Sequence, residues 1–440
     1  MKSYKNTLLI GTATLVLTGL ITRFLGFYYR IFLSSQIGAE GIGLYQMIFP
    51  IYILCMSLSS SGIQLGICRQ VSKDEATDKS SLITGLTISL PISLLCSLFL
   101  YIFSDFLSTS FLNEPRCQPL LHILSLCLPI ATIHNCINGY FLGKQNALIP
   151  GITQLIEQIG RIGVVFIIFT SFSAHIPNTA NSLALIAVLG LLASEIIATL
   201  FSIVAFLSTS SIHLKKIKSY FHIDLRKKAK ELTLLSIPIS LTNISLSLVH
   251  SLEATAIPLF LGKYGLNTSE AISTYGILTA MAMPFILFPT TITCAAAKML
   301  LPLVSKEKSK GNLTKISTLT SNTLKYCTIF GFACTLFFIL TGQFIGTYFF
   351  NSKEAGDFII ILAWLCPFIF ISSTLGSILN GLGLTKATFY HNLFAALLRL
   401  SFIIVLIPFI GIKGYLWGIL ASELLCSLLH TISVVRHLRT

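Results

Sequence analysis

Arg23, Arg30, Glu157, Arg161, Glu195, Glu253, Arg399 and Glu423 sit well inside apolar stretches of this 440-residue chain. A charge at the centre of a membrane helix costs about 2.5–3.5 kcal/mol on insertion scales, so each is a functional candidate. Arg23 and Arg30 are seven positions apart, about two helical turns, and project from one face. Two guanidiniums on one stripe suit a phosphate or pyrophosphate, which each can grip with two parallel hydrogen bonds. Arg23 falls just beyond the midplane of its helix and is read as lining a polar cavity. For Arg30, snorkelling to the headgroups is the plainer alternative. Glu157 and Arg161 are four apart and can neutralise each other, which favours a structural pair, although Arg161 stays a candidate anion ligand. Arg399 has no such neighbour in its own helix, so it faces a cavity or finds its partner elsewhere. Asn243, Ser247, His250 and Glu253 form a polar stripe at helical spacing. His250 and Glu253 there could relay a proton or bind a cation, or simply satisfy buried hydrogen bonds. Glu195 and Glu423 occupy comparable late positions in two helices, and the sequence assigns neither a role.

The elements that must position these groups follow from composition. Of all residues 54% are hydrophobic and only 10% charged, and the mean hydropathy is +0.84. Soluble domains carry roughly 25% charged residues, so too few are present here to coat a water-facing surface. Apolar runs near the ~20 residues needed to cross a bilayer recur at 7–33, 41–67, 82–104, 118–142, 149–172, 181–208, 233–262, 271–303, 318–345, 356–384, 387–411 and 414–435. Backbone groups in lipid must be satisfied within the segment, which makes these runs helices. The expected fold is therefore an all-α integral membrane protein of about twelve transmembrane helices. Pro50, Pro129, Pro238, Pro258, Pro284, Pro289, Pro367 and Pro408 predict kinks or breaks.

The formal charge of +14 would suit nucleic acid or an anionic membrane surface, and its distribution decides. With the N-terminus inside, the even-numbered connections and the termini hold 22 of the 30 Lys and Arg, among them Lys2, Lys5, seven from Lys215 to Lys230, Arg436 and Arg439. The odd-numbered connections hold only Arg116, Lys263, Lys353 and Lys413. That asymmetry is the positive-inside rule, so a multi-pass plasma-membrane protein with both termini cytoplasmic is expected, with no nucleic-acid partner. The start resembles a signal peptide but reads as an uncleaved first span. The 11 cysteines and nine histidines are scattered without metal-ligand spacing, so no metal or cofactor is expected.

The basic stretch 209–231 divides the chain into equal halves with matching signals. Val71-Ser72-Lys73 after the second helix corresponds to Val304-Ser305-Lys306 after the eighth. Asn138-Gly139 with Lys144 corresponds to Asn380-Gly381 with Lys386, and Gln154 with Arg161 to Asn392 with Arg399. A duplicated six-helix unit follows, with an N-terminal lobe over 1–208, a cytoplasmic linker over 209–231 and a C-terminal lobe over 232–440. An even number of spans per half makes the lobes parallel repeats, an architecture that permits alternating access. The linker itself reads as a solvated loop made basic by topology, or as an interfacial helix holding anionic lipid.

The stretch Ile21-Thr22-Arg23-Phe24-Leu25-Gly26-Phe27-Tyr28-Tyr29-Arg30, followed by Ile37-Gly38-Ala39-Glu40-Gly41-Ile42-Gly43-Leu44-Tyr45, resembles the first helix and loop of the stage V sporulation protein B family. Tyr275-Gly276-Ile277-Leu278, Met281-Ala282-Met283-Pro284, Phe288-Pro289 and Leu301-Pro302-Leu303-Val304-Ser305 resemble its eighth helix. That family is similar to the MurJ-like lipid II flippases and belongs to the multidrug and oligosaccharidyl-lipid exporter superfamily. The resemblance implies a two-lobed fold and movement of an undecaprenyl-pyrophosphate-linked sugar to the outer leaflet, for peptidoglycan or spore cortex. It also implies a pyrophosphate-engaging role for Arg23 and Arg30, and cell-wall synthesis proteins as partners.

Two other classes compete. A cation- or proton-coupled drug antiporter on the same fold would lean on Glu253 and His250. A membrane enzyme acting on the same lipid would need an acid/base pair in an outer loop; Asp105 and Glu114, or Glu354 and Asp357, do not make a convincing one. The sequence has no GxxxxGK[ST] loop, so ATP is not the expected energy source and membrane potential or an ion gradient remains.

Overall fold

The computed structural model describes residues 2–73, 78–171, 177, 179–209 and 225–439. Among them every regular element is helical. The main helices are α1 (Lys2–Met56), α2 (Gly62–Lys73), α3 (Asp78–Ile102), α4 (Gln118–Gly143), α5 (Leu148–Ser171), α6 (Ala180–Thr209) and α7 (Leu225–Tyr264). They continue as α8 (Thr268–Gly276), α9 (Thr290–Ser309), α10 (Leu313–Phe350), α11 (Lys353–Leu362), α12 (Cys366–Gly381), α13 (Thr385–Ile410) and α14 (Ile412–Arg439). Most of the basic linker, 210–224, lies outside the described residues.

Eleven helical stretches among the described residues are long and apolar enough to cross a membrane. The first, Leu17–Ser72, has 56 residues, about 84 Å at 1.5 Å per residue and more than two bilayer cores. It is interrupted at Gly38, whose φ of 70° and ψ of 177° suit only a residue without Cβ. That stretch therefore supplies two crossings, and the total is the twelve that hydropathy predicts.

Two predicted helices are broken. The apolar run 271–303 is divided into α8, a π-helical turn Ile277–Ala282, a short helix Met283–Leu287 and α9. Pro284 and Pro289, which have no amide hydrogen to donate, stand at the starts of the last two pieces. The run 356–384 likewise becomes α11, a 3₁₀ turn Ala363–Leu365 and α12, with Pro367 in the first turn of α12. A second π-helical turn, Ser57–Ser61, separates α1 from α2. Each half thus carries a π-turn in its second crossing, a feature often found at functional sites.

The chain forms two compact units, one of Met1–Ile37 with Leu44–Ser251 and one of Gly38–Gly43 with Leu252–Thr440. In the first, α1 lies along α5 in parallel. Gly151 makes room for Thr18, Gly26 for Gln158, and Phe32 meets Phe166 with ring centroids 5.8 Å apart. A core of Ile63, Ile67, Val71, Leu82, Ile137, Tyr140 and Phe141 joins α2, α3 and α4. In the second unit α9, α10, α12 and α14 share the core residues Val304, Ile316, Leu375, Ile378, Leu379 and Val434. Val71 and Val304 of the matching signals occupy corresponding places in these cores, but the glycine against Val71 is Gly143, one turn past the Gly139 that the sequence pairs with Gly381 and that faces the Gln64 carbonyl oxygen. A Cβ on Gly143 would meet the Cys68 carbonyl oxygen and Val71; one on Gly381 would meet the Leu301 carbonyl oxygen and Val304. Small residues at these positions let helix backbones approach closely. The outer faces carry large exposed apolar side chains such as Leu340, Tyr348 and Phe409, the surface that a lipid solvent requires.

Candidate functional site

The first unit gathers its buried polar groups where α1, α4, α5 and α6 meet. Arg161 on α5 donates from Nη2 to Glu157 Oε1 at 2.5 Å, one helical turn away, and from Nε to Ser194 Oγ on α6 at 3.4 Å. The pair foreseen from the i, i+4 spacing is therefore formed, with side-chain exposures of 14% and 26%. Arg30, Tyr29 and Tyr45, all on α1, lie within electrostatic reach of Arg161. Arg30 is half-buried, and no carboxylate among the described residues pairs with it. Arg23, two turns earlier on the same helix, is exposed. So the stripe that spacing predicts is divided, with Arg30 packed beside Arg161 and Arg23 on the surface.

Next to Arg161 the same unit holds a second group. Glu195 on α6 is buried, and its Oε1 accepts a hydrogen bond from the Tyr52 hydroxyl of α1 at 3.0 Å. Its Oε2 lies 3.4 Å from His134 Nδ1 on α4. Tyr52 and His134 were not legible as partners because 143 and 61 positions separate them from Glu195; the only signal was that Glu195 is an intramembrane carboxylate.

In the second unit Arg399 of α13 finds its partner on α7. Its Nε donates to Glu253 Oε1 at 2.6 Å, with side-chain exposures of 14% and 6%. The sequence offers these two residues for different tasks, anion binding and ion coupling; the structure makes them one ion pair. His250, one turn before Glu253, is exposed, whereas Glu253 is buried. Asn243 and Ser247, the rest of that polar stripe, hydrogen-bond within the first unit to Ser61 at 3.2 Å and Ser57 at 3.3 Å, both in the π-turn. Around Arg399 stand Tyr415 and Glu423 of α14, and Tyr275 of α8 is in reach of Glu253. Glu423 Oε2 accepts from Ser372 Oγ at 3.1 Å.

Both units thus place the same residue types on corresponding helices: an arginine on the penultimate helix, a glutamate on the last and a tyrosine on the second crossing. A model of the family described as polysaccharide biosynthesis protein matches residues 8–308, more than half of the chain. The chain belongs to that family. A MatE family model also matches residues 232–405. Stage V sporulation protein B of Bacillus subtilis (strain 168) is 28% identical, over 98% of this chain and 84% of the relative. The lipid II flippase MurJ of the same organism is 28% identical over 35% of this chain and 31% of its own. Among solved structures, an inward-facing multidrug resistance MATE family transporter of the MOP superfamily superposes with a TM-score of 0.77 at 16% identity, covering 95% of this chain and 94% of the other. An outward-facing MATE transporter superposes with a TM-score of 0.70 at 16% identity, over 98% and 95%. The fold is therefore the all-α MATE fold. The chain is a multi-pass membrane protein, and the relatives whose names state a role are a lipid II flippase and MATE transporters, not enzymes. Two of the carboxylates weighed for acid/base chemistry have partners of their own: Glu114 receives Arg116 Nε at 2.7 Å, and Asp357 receives Gln343 Nε2 at 2.5 Å.

Proposed function

We propose that the chain is a flippase that moves an undecaprenyl-pyrophosphate-linked saccharide, a peptidoglycan or polysaccharide precursor, from the inner to the outer leaflet of the plasma membrane. In this reading the lobes 1–208 and 232–440 alternate access, with 209–231 and both termini on the cytoplasmic side. Family membership supports the substrate class, and so does the flippase named among the relatives.

The observation that carries the reading is the pairing of Arg30 with Arg161 in the first unit. Arg161 has Glu157 beside it, whereas Arg30 has no carboxylate among the described residues and a second guanidinium within electrostatic reach. A half-buried cation whose neighbour is another cation is stabilised by an anion, and a pyrophosphate supplies two phosphates that arginines bind bidentately. Arg23, exposed one stripe further along α1, would then meet the anion on its way in or out. The antiporter alternative has less support: the Glu253 carboxylate already holds Arg399, and His250 is exposed.

The test is a lipid II accessibility assay in cells depleted of their native flippase. Arg30→Ala should lower export on the order of 10-fold, the loss of one hydrogen bond to a charged group. Full export by both Arg23→Ala and Arg30→Ala would overturn the pyrophosphate reading. Efflux of cationic dyes that depends on Glu253, without lipid II export, would replace it with the antiporter.

A further inference from the structure

We infer that Glu195, His134 and Tyr52 form a proton-binding site whose occupancy follows the charge at Arg161. Hydrogen-bond bookkeeping leads there. Thr199 Oγ1 spends its proton on the Ile130 carbonyl at 3.0 Å, so toward His134 Nδ1, 3.3 Å away, it can only accept. His134 Nδ1 therefore carries a hydrogen, placed between Thr199 Oγ1 and Glu195 Oε2. Glu195 Oε1 is served by the Tyr52 hydroxyl, while Oε2 makes no hydrogen bond among the described residues. Glu195 and His134 are 4% and 5% exposed. A bare carboxylate in such a place is costly unless a cation holds it or a proton neutralises it. The nearest guanidinium, Arg161, is engaged with Glu157.

The groups that face Glu195 are few and come from every helix packed on it. They are Tyr52 from α1, His134 and Cys127 from α4, and Glu157 and Arg161 from α5, with Ser194 and Thr199 on its own helix. One proton has two seats here, the Glu195 carboxyl or Nε2 of the His134 imidazole. An anion arriving at Arg161 adds negative charge beside Glu195 and favours the protonated form, so binding takes up a proton. By reciprocity a proton on Glu195 strengthens anion binding. That last link rests on the flippase reading; the proton site itself does not.

Infrared pH-difference spectra of the full chain in lipid nanodiscs test the site without substrate. A protonated-carboxyl C=O band should titrate in the wild type and vanish in Glu195→Gln, which keeps the side-chain size and an acceptor for Tyr52. Glu157→Gln should move its midpoint down in pH and Arg161→Gln up, while Glu423→Gln in the other unit should leave it in place. A band unchanged in Glu195→Gln, or a midpoint indifferent to both α5 variants, overturns the inference. The probe for coupling is undecaprenyl pyrophosphate. Wild-type affinity should rise as pH falls, approaching ~10-fold per pH unit for one linked proton, and Glu195→Gln should bind with no such slope. An equal slope in Glu195→Gln refutes the coupling. No binding to the wild type refutes the flippase reading, and the infrared arm then decides the proton site alone.

Discussion

Replacing Arg399 by Met is the perturbation whose size follows most directly from the structure. Arg399 Nε and Glu253 Oε1 are 2.6 Å apart, and neither side chain is more than 14% exposed. A buried pair of this kind contributes little net stability over a well-packed apolar pair, because desolvating both charges offsets their attraction. Breaking it from one side is different, since the remaining charge is left uncompensated at a cost of about 3–5 kcal/mol. Arg399→Met leaves Glu253 facing Tyr275 and Tyr415, with Glu423 nearby as a second carboxylate. Glu253→Met leaves a guanidinium that still has Glu423 within reach. Each single variant should therefore cost an amount within that range.

Arg399→Met with Glu253→Met removes both charges and keeps two long apolar side chains in the gap. Its stability should return to within about 2 kcal/mol of the wild type, so the coupling between the two sites is several kcal/mol. Equilibrium unfolding in mixed micelles, read by helical circular dichroism, gives all four corners of the cycle. Single variants that cost under about 1 kcal/mol and simply add in the double variant would refute the buried-pair argument.

Three further outcomes are expected. Gly381→Ala should destabilise the second unit by about 1–3 kcal/mol, as its Cβ would lie 2.8 Å from the Leu301 carbonyl oxygen and 3.0 Å from Val304 Cβ; an unchanged unfolding midpoint would contradict that packing. Gly38→Ala should cost about 1–3 kcal/mol through its φ of 70°, and a wild-type midpoint would show that the break tolerates a Cβ. Between α9 and α10, the Lys315 hydrogen bond to Glu307, helped by the charges of Lys315 and Lys310, holds that carboxyl below its usual range. A depressed carboxyl stabilises above its unfolded value near 4.3, and that contribution is lost as pH falls through the folded value. The protection factor of the Lys315 amide, which donates to Asn312, should therefore fall below about pH 4, and Glu307→Gln should show the lower protection at neutral pH. Equal protection in the variant and wild type at neutral pH would refute the tether.

The crossings were legible because lipid imposes one rule on every residue of a span, and that rule is written in composition. Local pairs were legible too: Glu157 and Arg161 are one turn apart, so helix geometry alone brings them together. What could not be read was any partner set by helix packing. Arg399 meets Glu253 across 146 positions and Glu195 meets Tyr52 across 143, and no spacing rule reaches that far. The breaks around Pro284, Pro289 and Pro367 were foreseeable as breaks, but not that a π-turn would accompany them at Ile277–Ala282.

The duplicated units keep the same plan and differ in how charge is balanced. In the first, Arg30 and Arg161 stand against Glu157 and Glu195, and Arg161 draws its partner from its own helix. In the second, Arg399 alone stands against Glu253 and Glu423, and its partner comes from a different helix. A proton on Glu195 would leave the first cluster with two guanidiniums and one carboxylate, a net cation. The second cluster has one guanidinium for two carboxylates, the opposite balance. On the flippase reading proposed above, an anionic lipid headgroup therefore has an electrostatic reason to prefer the first unit.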